Sequence, residues 1–286
     1  MRDTTRSTSI LSQGPHAFHA VDNTDWLKTV AIILVAVGHF GYFFVEDSTW
    51  WSVFGRFAAP TFFFLIGYAQ SRTVPFSWIW LGVILTLLDS SNTDWNWVAS
   101  NILLNFALIR LARPYMQIIV QQHGWAAFAL LVCALFAALP FAGEIVDYGA
   151  EGWLWALFGL FQRMYVDGRS AIAVPDTAQN LTRSAHEMTE NVRLMRLLAC
   201  FLAAVVYVWQ EQEEYSFPQI PLAIVILGIG VLSLSLCRFH RTASRIQPPK
   251  AVAGVLRFIG RYTLEIYAIQ LAGSEIIIKL MPDLAP

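Results

Sequence analysis

Charge is scarce in this sequence: 19 Lys and Arg and 20 Asp and Glu make up 14% of its 286 residues. A soluble domain carries about a quarter charged residues, so the shortage excludes a surface that is solvated all round. The net charge of −1, with no cluster of bases and aromatics, excludes nucleic acid as a partner. Cysteine is rare too. Cys133, Cys200 and Cys237 lie inside or at the end of apolar runs without CxxC spacing, which excludes a disulfide framework or thiolate zinc site and leaves small apolar residues in helix contacts. His16 and His19 are the nearest thing to a metal pair, and two ligands do not make a site, so no metal is expected. No repeat of 20 to 50 residues is visible, which leaves an inverted-repeat transporter without support.

What is abundant is hydrophobicity, at 56% of residues with 11 Trp and 20 Phe. Long apolar runs begin at Trp26 and recur along the chain at about 26–45, 51–70, 74–88, 97–112, 124–142, 146–165, 194–210, 217–237 and 255–280. This predicts an all-α polytopic transmembrane bundle of about nine helices in a lipid bilayer. The organisation expected is a polar cytoplasmic tail at 1–25, a transmembrane domain at 26–280 with a cytoplasmic loop at 167–193, and a short tail at 281–286. Lys and Arg alternate between the connections. Arg2 and Arg6, then Arg72, Arg110 and Arg113, then five arginines from Arg163 to Arg196, then Arg238 to Lys250 fall on one side, and the intervening turns lack bases. The alternation places the amino end in the cytoplasm and the carboxyl end outside. Within 167–193, Leu181, Ala185, Met188 and Val192 have helical spacing, which predicts a helix lying on the membrane surface.

Polar residues inside apolar runs are functional candidates because hydrocarbon tolerates them badly. His39 and Arg56 flank the acidic turn at 46–49, and at about 1.5 Å of rise per residue both sit about 8 to 9 Å inside the same face. Asn101, Asn105 and Asp147 fall at the outer ends of their runs, with Gln270 deeper in the last. The economical arrangement is one outward polar pocket holding His39, Arg56, Asn101 and Asp147, with Gln270 below. Arg56 and Asp147 are candidates for an ion pair, and Asn101 and Asn105, one turn apart, for interhelical hydrogen bonds. Pro60, just after Arg56, frees a backbone carbonyl and bends its helix. On the inner side Arg113, Arg257 and Arg261 suit a phosphorylated substrate, although positive-inside topology alone also accounts for them.

The ordered set LKTVAIILVAVGHFGYFF, GRFAAPTFFFLIGYAQSR, NILLNFALIRL, DYGAEGWLWALFGL and FIGRYTLEIYAIQL resembles the TraX family, membrane proteins related to pilin N-acetylation, and more distantly the wider transmembrane acyltransferases. The resemblance implies acyl transfer from cytoplasmic acyl-CoA, with no tightly bound cofactor, to an amine or hydroxyl at the outer side of a bacterial inner membrane. It makes His39 the first-helix histidine, Arg56 and Pro60 the Gly-Arg…Pro element, and Asp147, Tyr148 and Gly149 the Asp-Tyr-Gly turn. In this reading His39, Arg56 and Asp147 are catalytic. Asn101, Tyr148, Tyr267 and Gln270 line the acceptor site, and Arg113, Arg257 and Arg261 hold the acyl-CoA phosphates. Two positions depart from the family pattern: Gly38 stands where an Asp is typical, and Gln270 where a His is. Both fall on the implied chemistry, so the alternative is a non-catalytic relative serving as a structural subunit in a larger membrane complex.

Overall fold

The computed structural model describes residues 20–71, 73–92, 99–172, 179–244 and 248–281. The expected tails, with His16 and His19, lie almost wholly outside these. The described residues form ten helices and no strand: α1 (Asn23–Phe44), α2 (Thr49–Gly55), α3 (Ala58–Tyr68), α4 (Phe76–Asn92), α5 (Ile102–Ile145), α6 (Gly149–Ile172), α7 (Gln179–Tyr215), α8 (Gln219–Cys237), α9 (Lys250–Arg261) and α10 (Thr263–Leu280). By length and composition α1, α5, the 187–215 part of α7 and α8 suffice to cross a membrane, and the protein is an integral membrane protein.

Two helices form the centre. In α3 every residue from Ala58 to Leu65 is buried, and in α6 Leu154 to Phe158, Leu160 and Phe161 have no exposure. Phe64 packs on Phe158 at 5.0 Å. The surrounding helices turn large apolar side chains outward, including Leu130, Leu227 and Ile269, each about 70% exposed. Apolar residues on both the inside and the outside are what a lipid solvent selects, because burial within protein gains little over burial in hydrocarbon.

At one end the chain ties α1 to the segment before α9. Asp22 caps α1 through the amides of Thr24 and Asp25 and pairs with Arg241 at 2.8 Å. Lys28 Nζ donates to the Gly260 carbonyl at 2.8 Å. This end also carries the basic α9; the opposite end carries the site described below.

The helix boundaries correct the sequence reading in four places. The second apolar run is two helices, broken at Arg56 and Phe57, where Pro60 removes the amide that would have bonded the Arg56 carbonyl. Tyr207 of α7 donates to that carbonyl at 2.6 Å instead. The fourth and fifth runs are joined in α5, interrupted only at Gly124 (φ 52, ψ −124). The Ser100 amide bonds the Ile145 carbonyl at 2.9 Å, whereas a straight helix of this length would hold its ends about 65 Å apart; α5 therefore folds back on itself at Gly124, where a positive φ favours glycine. The last run is divided into α9 and α10 at Tyr262, whose φ −109 and ψ 26 leave the helical range; in α9 Leu256 and Gly260 face protein while Val252, Val255 and Phe258 are exposed.

The fourth correction concerns 167–193. No separate surface helix exists among its described residues: α6 continues to Ile172, and α7 starts at Gln179 and runs unbroken into the apolar core. Its 37 residues measure about 55 Å, well beyond the roughly 30 Å of hydrocarbon. Where the two helices project, a side chain at Gly168 would meet Thr189, and Trp125 Nε1 donates to Asn191 at 3.3 Å.

Candidate functional site

A cavity of about 760 Å³ opens at the end of the bundle opposite α9. Its wall is assembled from helix ends. His39 and Tyr42 come from α1, Arg56 from the α2–α3 break, Asp89 from α4 and Asn101 from the start of α5. Asp147, Tyr148 and Glu151 lie at the α5–α6 turn, Glu213 and Glu214 at the end of α7, and Leu264, Tyr267, Leu271 and Glu275 on α10. The α10 residues recur at steps of three and four, so one helical face lines the cavity over about 16 Å.

Asn101 and Asp147 serve this geometry as helix caps. Asn101 Oδ1 accepts from the Leu103 amide at 3.1 Å, and Asp147 Oδ2 accepts from the Ile102 amide at 3.2 Å, a favourable position for a carboxylate at the positive end of α5. The Asn101 amide nitrogen also donates to the Tyr267 hydroxyl at 3.2 Å, which fixes α10 against α5. Asn105, one turn on, donates to the Asp147 carbonyl at 2.9 Å and accepts from Trp153 Nε1 at 2.8 Å. Tyr148 between these contacts has φ 59. A non-glycine residue in this region costs about 1–3 kcal/mol, and packing holds it: the ring lies 5.8 Å from Phe63 and stacks on Tyr207 at 6.5 Å.

Arg56 is held by α7, not by Asp147. Its Nη1 pairs with Glu211 Oε2 at 3.1 Å, with the two side chains 15% and 2% exposed. Its guanidinium lies 4.4 Å from the centre of the Tyr215 ring. Tyr207, Glu211 and Tyr215 follow one another at steps of four, a single stripe of α7 that binds the carbonyl, the charge and the face of Arg56. Arg56 Nε is buried without a hydrogen-bond partner among the described residues. The expected Arg56–Asp147 ion pair is thus replaced, because residues 211–215, which lie between the apolar runs at 194–210 and 217–237, form the last helical turn of α7.

His39 is half-buried against Tyr267 (ring centres 5.7 Å apart) and Phe43 (6.3 Å). Its Nδ1 is buried and has no hydrogen-bond partner among the described residues, so no carboxylate orients the ring. Gly38 beside it explains the missing family carboxylate. The α1 and α2 backbones cross here so closely that a Cβ at Gly38 would lie 2.9 Å from Gly55 Cα, leaving no room for an Asp.

The structure therefore gathers His39, Arg56, Asn101, Asp147, Tyr148 and Tyr267 at one cavity. Gln270 is half-buried and off its wall. The arginines expected to bind phosphate do not converge. Arg113 is buried and donates to the Gly67 carbonyl at 3.0 Å and to Gln117 at 3.0 Å, whereas Arg257 and Arg261 lie on α9 at the other end of α1. The sequence reading missed the carboxylates Glu151 and Glu211. Glu211 was legible in principle from its spacing of four to both Tyr207 and Tyr215.

A family model described as TraX protein matches residues 23–224, more than half of the chain. The matched stretch holds His39, Arg56, Asn101, Asp147 and Glu211 and ends before α9 and α10. No curated protein and no solved structure matches the chain.

Proposed function

The chain belongs to the TraX family, and on that premise we propose that it is an integral membrane acyltransferase moving an acyl group from acyl-CoA to an amine. The observation that carries the reading is His39, whose unpartnered Nδ1 sits at a cavity open at one end of the bundle. The bundle is oriented with the amino end and the basic α9 in the cytoplasm of a bacterial inner membrane. Leaving α9 on the cytoplasmic face, and counting α2 with α3 as one passage and the limbs of α5 as two, gives nine crossings, with the carboxyl end outside. The donor enters from the cytoplasmic side. Leu264, at the foot of the cavity, is three residues from Arg261, so Arg257 and Arg261 are set to hold nucleotide phosphates while the thiol arm extends upward along α10.

The acceptor amine reacts in its neutral form. An ammonium gives its proton to His39, the nitrogen lone pair attacks the thioester carbonyl, and the oxygen takes the negative charge. Arg56 stabilises that oxyanion through its unpartnered Nε. As the oxyanion collapses, the attacking nitrogen gives up its second proton to water, the carbon–sulfur bond breaks, and the proton held on His39 passes to the departing thiolate, so that amide, thiol and one solvated proton result. Carboxylates dominate the remaining wall, and their field favours an amine over a neutral hydroxyl as the incoming group.

The test is acyl transfer to a small primary amine by the purified protein, followed by product mass. A proton-transfer role at His39 predicts that His39→Ala lowers turnover by about 10²–10⁴-fold; equal turnover in the folded variant removes His39 from the chemistry. That no carboxylate bonds His39 among the described residues favours a second reading, a non-catalytic subunit of a membrane complex. That reading predicts stoichiometric partner chains on purification in mild detergent and no acyl-CoA binding.

A further inference from the structure

The proposed chemistry uses one histidine and one arginine and none of the carboxylates of the cavity. Asp89, Asp147, Glu151, Glu213, Glu214 and Glu275 all line it. Arg56, the cation among the lining residues, is already paired with Glu211. Two of these carboxylates differ from the rest. Glu151 is 8% and Glu275 5% exposed, and each has a buried Oε2 with no hydrogen-bond partner among the described residues. Leaving a buried carboxylate oxygen unpaired is costly, so two such oxygens on residues that line one cavity point to a ligand that supplies the donors.

The two stand on separate walls. Glu151 is in the first turn of α6, within electrostatic range of Glu211 and Glu214 on α7 and of the Arg56 guanidinium that Glu211 pairs, and Glu275 is on α10, within range of Asp89 on α4. Among the described residues no three His, Cys, Asp or Glu side chains converge as a metal ion would need. Separate carboxylates on separate walls suit separate ammonium groups.

We propose that the cavity recognises a linear diamine or polyamine, with one ammonium bound at Glu151 and a second at Glu275. The Glu151 end lies on the Arg56 side of the cavity and the Glu275 end on the α4–α10 side, with His39 and Tyr267 on the wall as well. A monoamine satisfies one of the two buried oxygens and leaves the other without a donor. The inference rests on the acyl-transfer reading only in naming this ligand the acceptor; its binding requires no acyl donor.

The experiment is calorimetric titration of the purified chain in nanodiscs, without acyl-CoA, using putrescine, cadaverine and spermidine against butylamine. One additional charge-assisted hydrogen bond predicts that the best diamine binds about tenfold or more tightly than butylamine. Glu151→Gln and Glu275→Gln should each remove most of that advantage. Butylamine binding as tightly as every diamine overturns the proposal, and this comparison in the unaltered protein does not depend on any variant folding. Diamine binding unchanged in both folded variants overturns it as well. Tight diamine binding without thiol release from acyl-CoA would sustain this site and refute the acyl-transfer reading; thiol release with a monoamine and no preference for diamines would do the reverse.

Discussion

Replacing Glu211 by Ala should be among the most damaging single changes in the protein. Glu211 is 2% exposed and its Oε2 lies 3.1 Å from Arg56 Nη1. Its loss strands a guanidinium whose Nε has no partner among the described residues and which keeps only the contact it already makes with the Tyr215 face, 4.4 Å away. Breaking a buried pair from one side costs about 3–5 kcal/mol, and a desolvated cation–π contact of about 2 kcal/mol already exists in the native protein, so it offsets none of the loss. Removing both charges tests the cause. Arg56→Met with Glu211→Met leaves no stranded charge and should lie within about 1 kcal/mol of the unaltered protein. The assay is reversible unfolding, in mixed micelles, of Glu211→Ala and of the four proteins of the double-mutant cycle built from Arg56→Met and Glu211→Met. A loss below about 1 kcal/mol for Glu211→Ala, the size of an exposed pair, or strictly additive effects in the cycle, would refute the reasoning.

Three further outcomes follow from the same contacts. Tyr207→Phe leaves the Arg56 carbonyl, already freed by Pro60, without its 2.6 Å donor and should cost about 1–3 kcal/mol in the same unfolding assay. Asn101→Ala removes the α5 cap and the donor to Tyr267; a loss of about 0.5–2 kcal/mol for the cap alone is expected, with less of the helical signal recovered on refolding if α10 docks through that hydrogen bond. Gly38→Asp restores the carboxylate typical of the family, yet it should lower stability by about 1–3 kcal/mol or more through overpacking against Gly55 and should not raise turnover; higher activity in the folded variant would contradict the crossing geometry.

Much of this arrangement was legible in the sequence. Apolar runs of spanning length mark helices because the bilayer requires internally bonded backbone, and Pro60 identified the carbonyl that Tyr207 takes up. His39, Arg56, Asn101 and Asp147 meet at one depth because polar groups in lipid gain by sharing one enclosed space. The partners were less legible. Several carboxylates lie at the depth of Arg56, and the choice of Glu211 depends on α7 continuing past its apolar stretch, which a hydropathy reading ends too early. Asp147 looked like a partner for charge, whereas the amides at the start of α5 claim it first. The fold-back at Gly124 and the break at Tyr262 depend on single backbone conformations that composition does not encode, and the close crossing at Gly38 and Gly55 depends on two residues far apart in sequence.

The central claim is that His39 performs acyl transfer in this cavity, and the most direct measurement is acetyl-CoA binding together with thiol release, in the unaltered protein and in His39→Ala, with an amine acceptor present. The account predicts that both proteins bind acetyl-CoA, because it assigns the phosphate contacts to α9, and that only the unaltered protein releases thiol at an appreciable rate. Failure of the folded, unaltered protein to bind acetyl-CoA, or equal release by the two, would contradict it.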